Sequence, residues 1–253
     1  MQFLKNHPFA VEAFFDQSVV LTFALPKAQL AGLIPACLEL DTFEDKWAFL
    51  AVALVQTKDL RPKGFPKFMG HDFFLIGYRI FVRYTNRAGK RLRGLYILKS
   101  ETDREKMEYL GNIFTHYNYT TTDIARQTAG DKTTITSAKS GFEVVLHHPG
   151  PEVSLPEQSP FPDWKSARRF AGPLPHTFTY NAQNNTVLII EGVRQFWTPE
   201  PVHVEHYDFA WLRELHLDNA VLASAFEVKN IPYHWKKGTI EPWHQPANPD
   251  KGY

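Results

Sequence analysis

Apolar and aromatic residues recur along this chain in short runs that have the length of β-strands. In the longest run, Phe73 to Tyr84, the even-numbered positions are apolar or aromatic, which is the period-2 pattern of a strand. Trp47 to Gln56 is apolar on both faces and indicates a strand in the centre of a sheet. The chain holds about ten such patterns and only a few short helical ones. We therefore predict a mostly β fold built on a closed or strongly curved antiparallel sheet.

The patterns form one domain, which we place at residues 1–237. No internal repeat and no long linker divides it. Residues 238–253 are polar and contain three prolines. This composition predicts a poorly ordered C-terminal tail.

The charge balance and the cysteine content exclude several classes of partner. The 253 residues include 28 basic and 27 acidic side chains, so no broad basic field is available for nucleic acid or an anionic membrane. The single cysteine, Cys37, excludes an intramolecular disulfide and fits a reducing compartment. We see no signal-peptide pattern, and every apolar run is shorter than the ~20 residues of a membrane helix. We expect a soluble cytoplasmic protein without nucleic-acid or membrane partners, and leave a homo-oligomer open.

The segment from Gly94 to Ile124 concentrates ionisable and hydroxyl groups between two apolar runs. It predicts a buried strand, a short helix, and a second strand at His116 to Thr120. Thr102 precedes Glu105 by three residues, which is the spacing of a capping box at the start of the helix. Because a helix held between two strands fixes its side chains rigidly, we expect the floor of a pocket here.

Charged residues at the start of this helix have two interpretations. Glu101 or Glu108 could be a general base beside Arg104, which would bind an anion. Carboxylates in a first helical turn also interact favourably with the helix dipole, and we favour that structural role for the cluster. Glu108 is the residue that capping explains least.

The strand that follows the helix offers His116, Tyr117 and Tyr119. These side chains either line a pocket or are partly buried sheet residues, and the pattern leaves both open. Arg79 could bind a carboxylate inside a barrel or lie on a solvated face, and the alternation favours the solvated face.

We predict no metal site and no cofactor. His203 and Glu205 share a strand face, but a third ligand is not identifiable. The chain also lacks a Gly-rich phosphate loop, a nucleophile elbow and a CxxC pair.

Three segments resemble a known family: LAGLIPACLELDTFEDKWAFLAVALV from Leu30, SETDREKMEYLGNIFTHYNY from Ser100, and GVRQFW from Gly192. They are similar to the YqjF-like proteins, domain-of-unknown-function family 2071, of the acetoacetate decarboxylase-like superfamily. The most specific part is the Leu-Glu-Leu-Asp motif that ends at Asp41. The resemblance implies a curved antiparallel sheet closed into a conical barrel, with a pocket inside.

The same resemblance argues against decarboxylation. In the decarboxylases, a lysine pair directly precedes a leucine and a glycine, and one lysine forms a Schiff base with a keto acid. Here Glu108 and Tyr109 precede Leu110 and Gly111. The decarboxylase arginine and one pocket glutamate fall near Ala24 and Leu50. These three departures argue against Schiff-base decarboxylation. Lys99 or Lys106 could substitute from a shifted position, but a lysine at the start of a helix is usually solvated.

Three functional hypotheses follow. The first is an internal pocket that binds a small organic acid, with Glu101, Arg104, Tyr109, Tyr119 and Arg79 as candidate ligand-binding residues. The second is a lyase or isomerase that uses Glu108 or His116 for acid–base catalysis, with Tyr109 or Tyr119 orienting the substrate. The third and weakest is a protein–protein interaction module.

Overall fold

The computed structural model describes residues 2–147, 154–172, 174–217 and 219–244. Strands dominate them, which confirms the mostly β prediction. The strands are β1 Val11–Pro26, β2 Glu39–Leu40, β3 Trp47–Pro62, β4 His71–Thr85, β5 Arg91–Thr102, β6 Tyr119–Thr121, β7 Ala125–Ala129, β8 Lys132–Ser137, β9 Phe142–His147, β10 His176–Asn181, β11 Thr186–Arg194, β12 Glu200–Pro201, β13 His203–Phe209, β14 Val221–Trp235 and β15 Thr239–Pro242.

The helices are short. They are α1 Gln2–Lys5, α2 Lys27–Ala31, α3 Glu105–Phe114, α4 Trp164–Ala171 and α5 Ala210–Glu214, with a 3₁₀ turn at Lys67–Met69. Within the described ranges, no helix is long and apolar enough to span a membrane.

Eleven strands form the main sheet, in the order β12-β14-β1-β3-β4-β5-β10-β11-β15, with β2 beside β4 and β6 beside β5. Strand β14 pairs with β1 along its length and also with β11, where Gly192 lies opposite Trp235. Most pairs are antiparallel as expected, but β10 and β6 each run parallel to β5. Bulges interrupt the register of the β1–β3 and β3–β4 pairs, and bulges bend strands and increase their twist.

Four further strands, β13-β9-β8-β7, form a second sheet. It packs against one face of the main sheet, where Tyr78 and Ile80 of β4 share a core with Ile135, Val144 and Leu146. Because this apolar core covers the even-numbered side chains of β4, that face is removed from water.

The other face of the main sheet is buried as well. Helix α4 packs on one end of this face. Asp163 caps its first turn, because the Asp163 side chain accepts a hydrogen bond from the Ser166 amide at 2.7 Å. Phe161, which precedes this helix, stacks on Phe49 of β3 at 5.3 Å between ring centroids. Since both faces of β4 are covered, alternation along it does not separate a buried face from a solvated one.

Several local expectations differ from the structure. The capping box is wrong, since Thr102 belongs to β5 and its hydroxyl accepts from the Arg104 amide at 3.4 Å. The strand expected at His116 to Thr120 is only the short β6. Part of the tail predicted to be poorly ordered forms β15, which pairs with β11 at Thr186–Ile189. The remainder of that tail, 245–253, lies outside the described residues.

Candidate functional site

A cavity of about 420 Å³ lies on the face of the main sheet opposite the second sheet. Its walls come from β1, β3, β4, β5, β11 and β14, and α3 and the end of α4 also contribute residues. The wall of α3 consists of Met107, Leu110, Gly111 and Phe114, which repeat at helical spacing on one side of the helix. Most of the lining is apolar, so a few polar groups determine what the cavity can bind.

Arg79 of β4 is the most unusual group in the cavity wall. Its neighbours across the sheet are Ala51 and Ile97, and its guanidinium folds back over Gly77. Burial lowers the pKa of Arg79 from its ordinary value, an effect that nearby tyrosines partly oppose. Its Nε has no hydrogen-bond partner in the described part of the chain. No Asp or Glu is among the residues that line the cavity in the described ranges.

A second cation, Arg194 of β11, has partners that Arg79 lacks. Its guanidinium lies over the ring of Trp197, 4.8 Å from the centroid, and interacts with the Tyr233 hydroxyl. Burial lowers the pKa of Arg194, and the Tyr233 contact opposes that shift. The hydroxyl of Tyr233 occupies the space that a Cβ at Gly192 would need. Burial raises the pKa of Tyr233, while Arg194 and Arg79 both act to lower it, and all three residues line the cavity.

Tyr117 and Tyr119 are two further polar residues of the wall. Asn112 of α3 holds the Tyr119 backbone by two hydrogen bonds of 2.9 Å, one to its amide and one to its carbonyl. The Tyr119 ring lies against Gly111, where a Cβ would come within 2.4 Å of it. Burial raises the pKa of Tyr119 to about 12 and also raises that of Tyr117. Both phenols are therefore neutral hydrogen-bonding groups at ordinary pH.

The segment before β1 brings His7 into the cavity wall. Its imidazole is buried, and its Nε2 finds no hydrogen-bond partner within the described ranges. Burial lowers the pKa of His7 to about 4, so the ring is neutral near pH 7. Thr57 Oγ1 and Trp197 Nε1, which also belong to lining residues, likewise lack partners in the described structure. Buried polar groups without partners are uncommon, so several of them in one cavity mark it as the candidate binding site.

Of the residues proposed from sequence, the structure brings Arg79 and Tyr119 to the cavity. Glu108 and Tyr109 lie on other faces of α3, and Tyr109 is 69% exposed. The Glu108 carboxylate accepts hydrogen bonds from the amide and the hydroxyl of Thr121, which fixes β6 to the helix. His116 is not a lining residue, and its pKa is lowered by burial and by Lys5.

Glu101 and Arg104 also lie elsewhere. A bulge at Leu98 shifts the register of β5, so Glu101 faces the second sheet rather than the cavity. Its buried carboxylate accepts hydrogen bonds from Tyr78 at 3.2 Å and Ser140 at 2.7 Å and pairs with Lys99 at 2.8 Å. Arg104 is exposed beside Asp103 at the start of α3.

No lysine lines the cavity in the part of the chain that the structure describes. Lys99 is paired with Glu101 on the opposite face of the sheet, and Lys106 is exposed on α3. A keto acid forms a Schiff base only with an amine, and no described residue of the cavity wall supplies a lysine amine.

The described residues contain no group of three or more His, Cys, Asp or Glu side chains arranged to hold a metal ion. Glu205, which the sequence placed beside two histidines, forms ion pairs with Lys132 and His147 on the second sheet.

A protein-family model matches residues 13–238; it is DUF2071, described as "Uncharacterized conserved protein (COG2071)". The chain belongs to this family. No curated protein matches it. Two of the segments that carry the resemblance have clear structural roles here. Asp41 is fully buried and forms ion pairs with Arg83 and Arg93, and Arg194 and Trp197 of the GVRQFW segment line the cavity.

Solved structures with a similar fold are acetoacetate decarboxylase-like proteins. An acetoacetate decarboxylase-like enzyme from Sphingomonas wittichii has a TM-score of 0.60 and 13% identity, covering 92% of this chain and 93% of that one. Acetoacetate decarboxylase from Legionella pneumophila has a TM-score of 0.59 and 11% identity, covering 91% and 86%. The enduracididine biosynthesis enzyme MppR, in complex with pyruvate, has a TM-score of 0.53 and 9% identity, covering 91% and 88%. At these identities the likeness shows the fold alone.

Sequence reasoning did not identify His7, Arg194 or Tyr233 as site residues. One signal was available: Gly77 and Gly192 interrupt good strand patterns, and glycine inside a strand often marks a close approach of another group. In this protein the groups that approach them are Arg79 and Tyr233.

Proposed function

We propose that this DUF2071 protein binds a small organic acid in the cavity, with the carboxylate of the ligand on Arg79. The observation that carries the proposal is a partly buried guanidinium in the cavity wall without an acidic partner among the described residues. A buried charge is costly unless it is paired, and a ligand carboxylate would pair it through charge-assisted hydrogen bonds.

The pairings of β14 with both β1 and β11 support a sheet that closes into a conical barrel around this ligand. One domain would then contain the whole site. The free, buried thiol of Cys37 is compatible with a cytoplasmic location.

Acid–base chemistry on the bound acid, as in a lyase or isomerase, is a second candidate. It is favoured by the neutral, unpartnered imidazole of His7 in the cavity wall. His7 would replace Glu108 and His116 as the proton-transfer group, since neither of those lines the cavity. In that case His7→Gln would abolish turnover of a bound acid and leave its binding intact.

A thermal-shift screen with keto acids, hydroxy acids and acyl carboxylates tests the binding proposal. A ligand at a hundred times its dissociation constant adds about 2.7 kcal/mol to the free energy of unfolding. We expect hits for wild type, loss of those hits in Arg79→Gln, and their retention in the control Arg126→Gln, which changes an exposed arginine of β7. Hits that survive in Arg79→Gln would refute the role of Arg79. A wild type that responds to no acid would favour the interaction module.

A further inference from the structure

We propose that the acid bound in this cavity is amphipathic, with its carboxylate held by Arg79 and Tyr233 and an apolar body that fills the remaining space. This inference rests on the proposed function and names the class of ligand. A fatty acid of medium chain length, or an aryl-substituted acid of similar size, has this chemistry. A keto acid of three or four carbons does not.

The volume of the cavity exceeds that of a short keto acid. One water occupies about 30 Å³ of liquid, so a cavity of about 420 Å³ has room for about 14 groups of that size. A three-carbon keto acid has only six heavy atoms and would leave more than half of the space to water. An acid of about ten to twelve carbons matches the space.

The walls of the cavity are mostly apolar. Five residues of β4 line the cavity: His71 and Arg79 are polar, and Phe73, Leu75 and Phe81 are large and apolar. Water confined against such side chains forms few hydrogen bonds, so replacing it with an apolar chain is favourable.

The surroundings of Arg79 and Tyr233 have room for a carboxylate. Arg79 lies across from Ala51, and Gly77 lies across from Ala53, so small residues leave open space beside the guanidinium. Tyr233 has one proton to donate, and its hydroxyl oxygen can accept from Arg194. Because Tyr233 and Arg79 line the same cavity, we assign the Tyr233 proton to the anion at Arg79. Arg194 is then a positioning residue that orients Tyr233.

Apolar side chains lie at the opening of the cavity. Phe9 and Met69 line the cavity and are nevertheless 37% and 43% exposed, so they lie where it opens to solvent. Phe68, next to Met69 in the chain, is 87% exposed. Apolar side chains at the opening can contact the apolar body of a ligand as it enters.

Calorimetry with the full-length protein tests the inference. The ligands are saturated carboxylates from acetate to dodecanoate, pyruvate, and the primary alcohols of matching length, each below its micelle concentration. We expect one site per chain and an affinity that rises about fourfold per methylene, which corresponds to about 0.8 kcal/mol, up to a plateau near ten to twelve carbons. Arg79→Gln should weaken decanoate binding at least tenfold, and Tyr233→Phe several-fold. Tyr207→Phe, which changes a partly exposed tyrosine of β13, should have no effect.

The outcomes separate the two proposals. If pyruvate or acetate binds as tightly as decanoate and Arg79→Gln abolishes that binding, the amphipathic ligand is refuted and the organic-acid proposal stands. If decanol binds as tightly as decanoate, or Arg79→Gln leaves decanoate binding unchanged, both are refuted. Equal binding by Tyr233→Phe and wild type would refute the role of Tyr233.

Discussion

A Cβ atom at Gly77 would lie 2.8 Å from Nε of Arg79, two residues further along the same strand. The missing side chain is therefore what allows the guanidinium to fold back along β4 inside the cavity. The contacting group is the end of a flexible side chain, so a methyl at position 77 would move the guanidinium rather than break the sheet.

Gly77→Ala should accordingly weaken binding of an organic acid at least tenfold, about 1.4 kcal/mol, because Arg79 is displaced from its position. Calorimetry of the acid measures the change. Gly32→Ala is the matched control, because no atom lies within 4 Å of a Cβ built at Gly32. Undiminished affinity in Gly77→Ala would show that the position of Arg79 does not matter for binding.

Arg79→Leu should stabilise the ligand-free protein while abolishing acid binding. The substitution removes a partly buried cation that has no acidic partner in the described structure and keeps an apolar side chain against the wall. We expect a gain of about 1–3 kcal/mol in the free energy of unfolding, measured by urea denaturation without ligand. A loss of stability instead would mean that Arg79 has a structural role.

The burial of neutral His7 predicts a loss of stability in acid. Its pKa is about 4 in the folded protein against 6.5 when unfolded, so the unfolded chain binds more protons between these values. Neutral His7 therefore contributes to the free energy of unfolding. This contribution is fully present above about pH 6.5, falls as the pH drops toward 4, and amounts to at most about 3 kcal/mol. His7→Gln should flatten the dependence of the unfolding free energy on pH in this window. His206→Gln, an exposed control, should leave the slope unchanged; an equal slope in His7→Gln and wild type would contradict the assignment.

The Asp41 carboxylate of the Leu-Glu-Leu-Asp motif should be essential for stability. It is fully buried and pairs with both Arg83 and Arg93, so Asp41→Asn would leave two partly buried cations without their anion. We expect a loss of about 3–5 kcal/mol in the free energy of unfolding. Glu39→Gln is the control, because Glu39 and Arg91 form an ion pair at the surface. A loss below 1 kcal/mol in Asp41→Asn would show that the motif is not there for stability.

Much of the fold was predictable from sequence because strand periodicity is a local property. The alternation along β4 and the central position of β3 in the sheet follow from neighbouring residues, and the structure confirms both. The parallel pairing of β10 with β5 was not predictable in this way, since it joins segments about 80 residues apart.

The site was less predictable because it depends on which buried face surrounds a cavity. Alternation placed Arg79 opposite the apolar side of β4 but could not distinguish solvent from an enclosed space. The bulge at Leu98, which turns Glu101 toward the second sheet, leaves no clear trace in the residue pattern. Met107 and Leu110 of α3 face the cavity. Glu108 and Tyr109, which were proposed from sequence on the same helix, lie on its other side.

The most direct measurement is a crystal structure of the wild-type protein with the tightest-binding acid. Our account predicts one molecule in the cavity, with carboxylate oxygens about 2.7–2.9 Å from guanidinium nitrogens of Arg79, as in charge-assisted hydrogen bonds. An acid bound on the outer surface, or a carboxylate inside the cavity that does not contact Arg79, would contradict it.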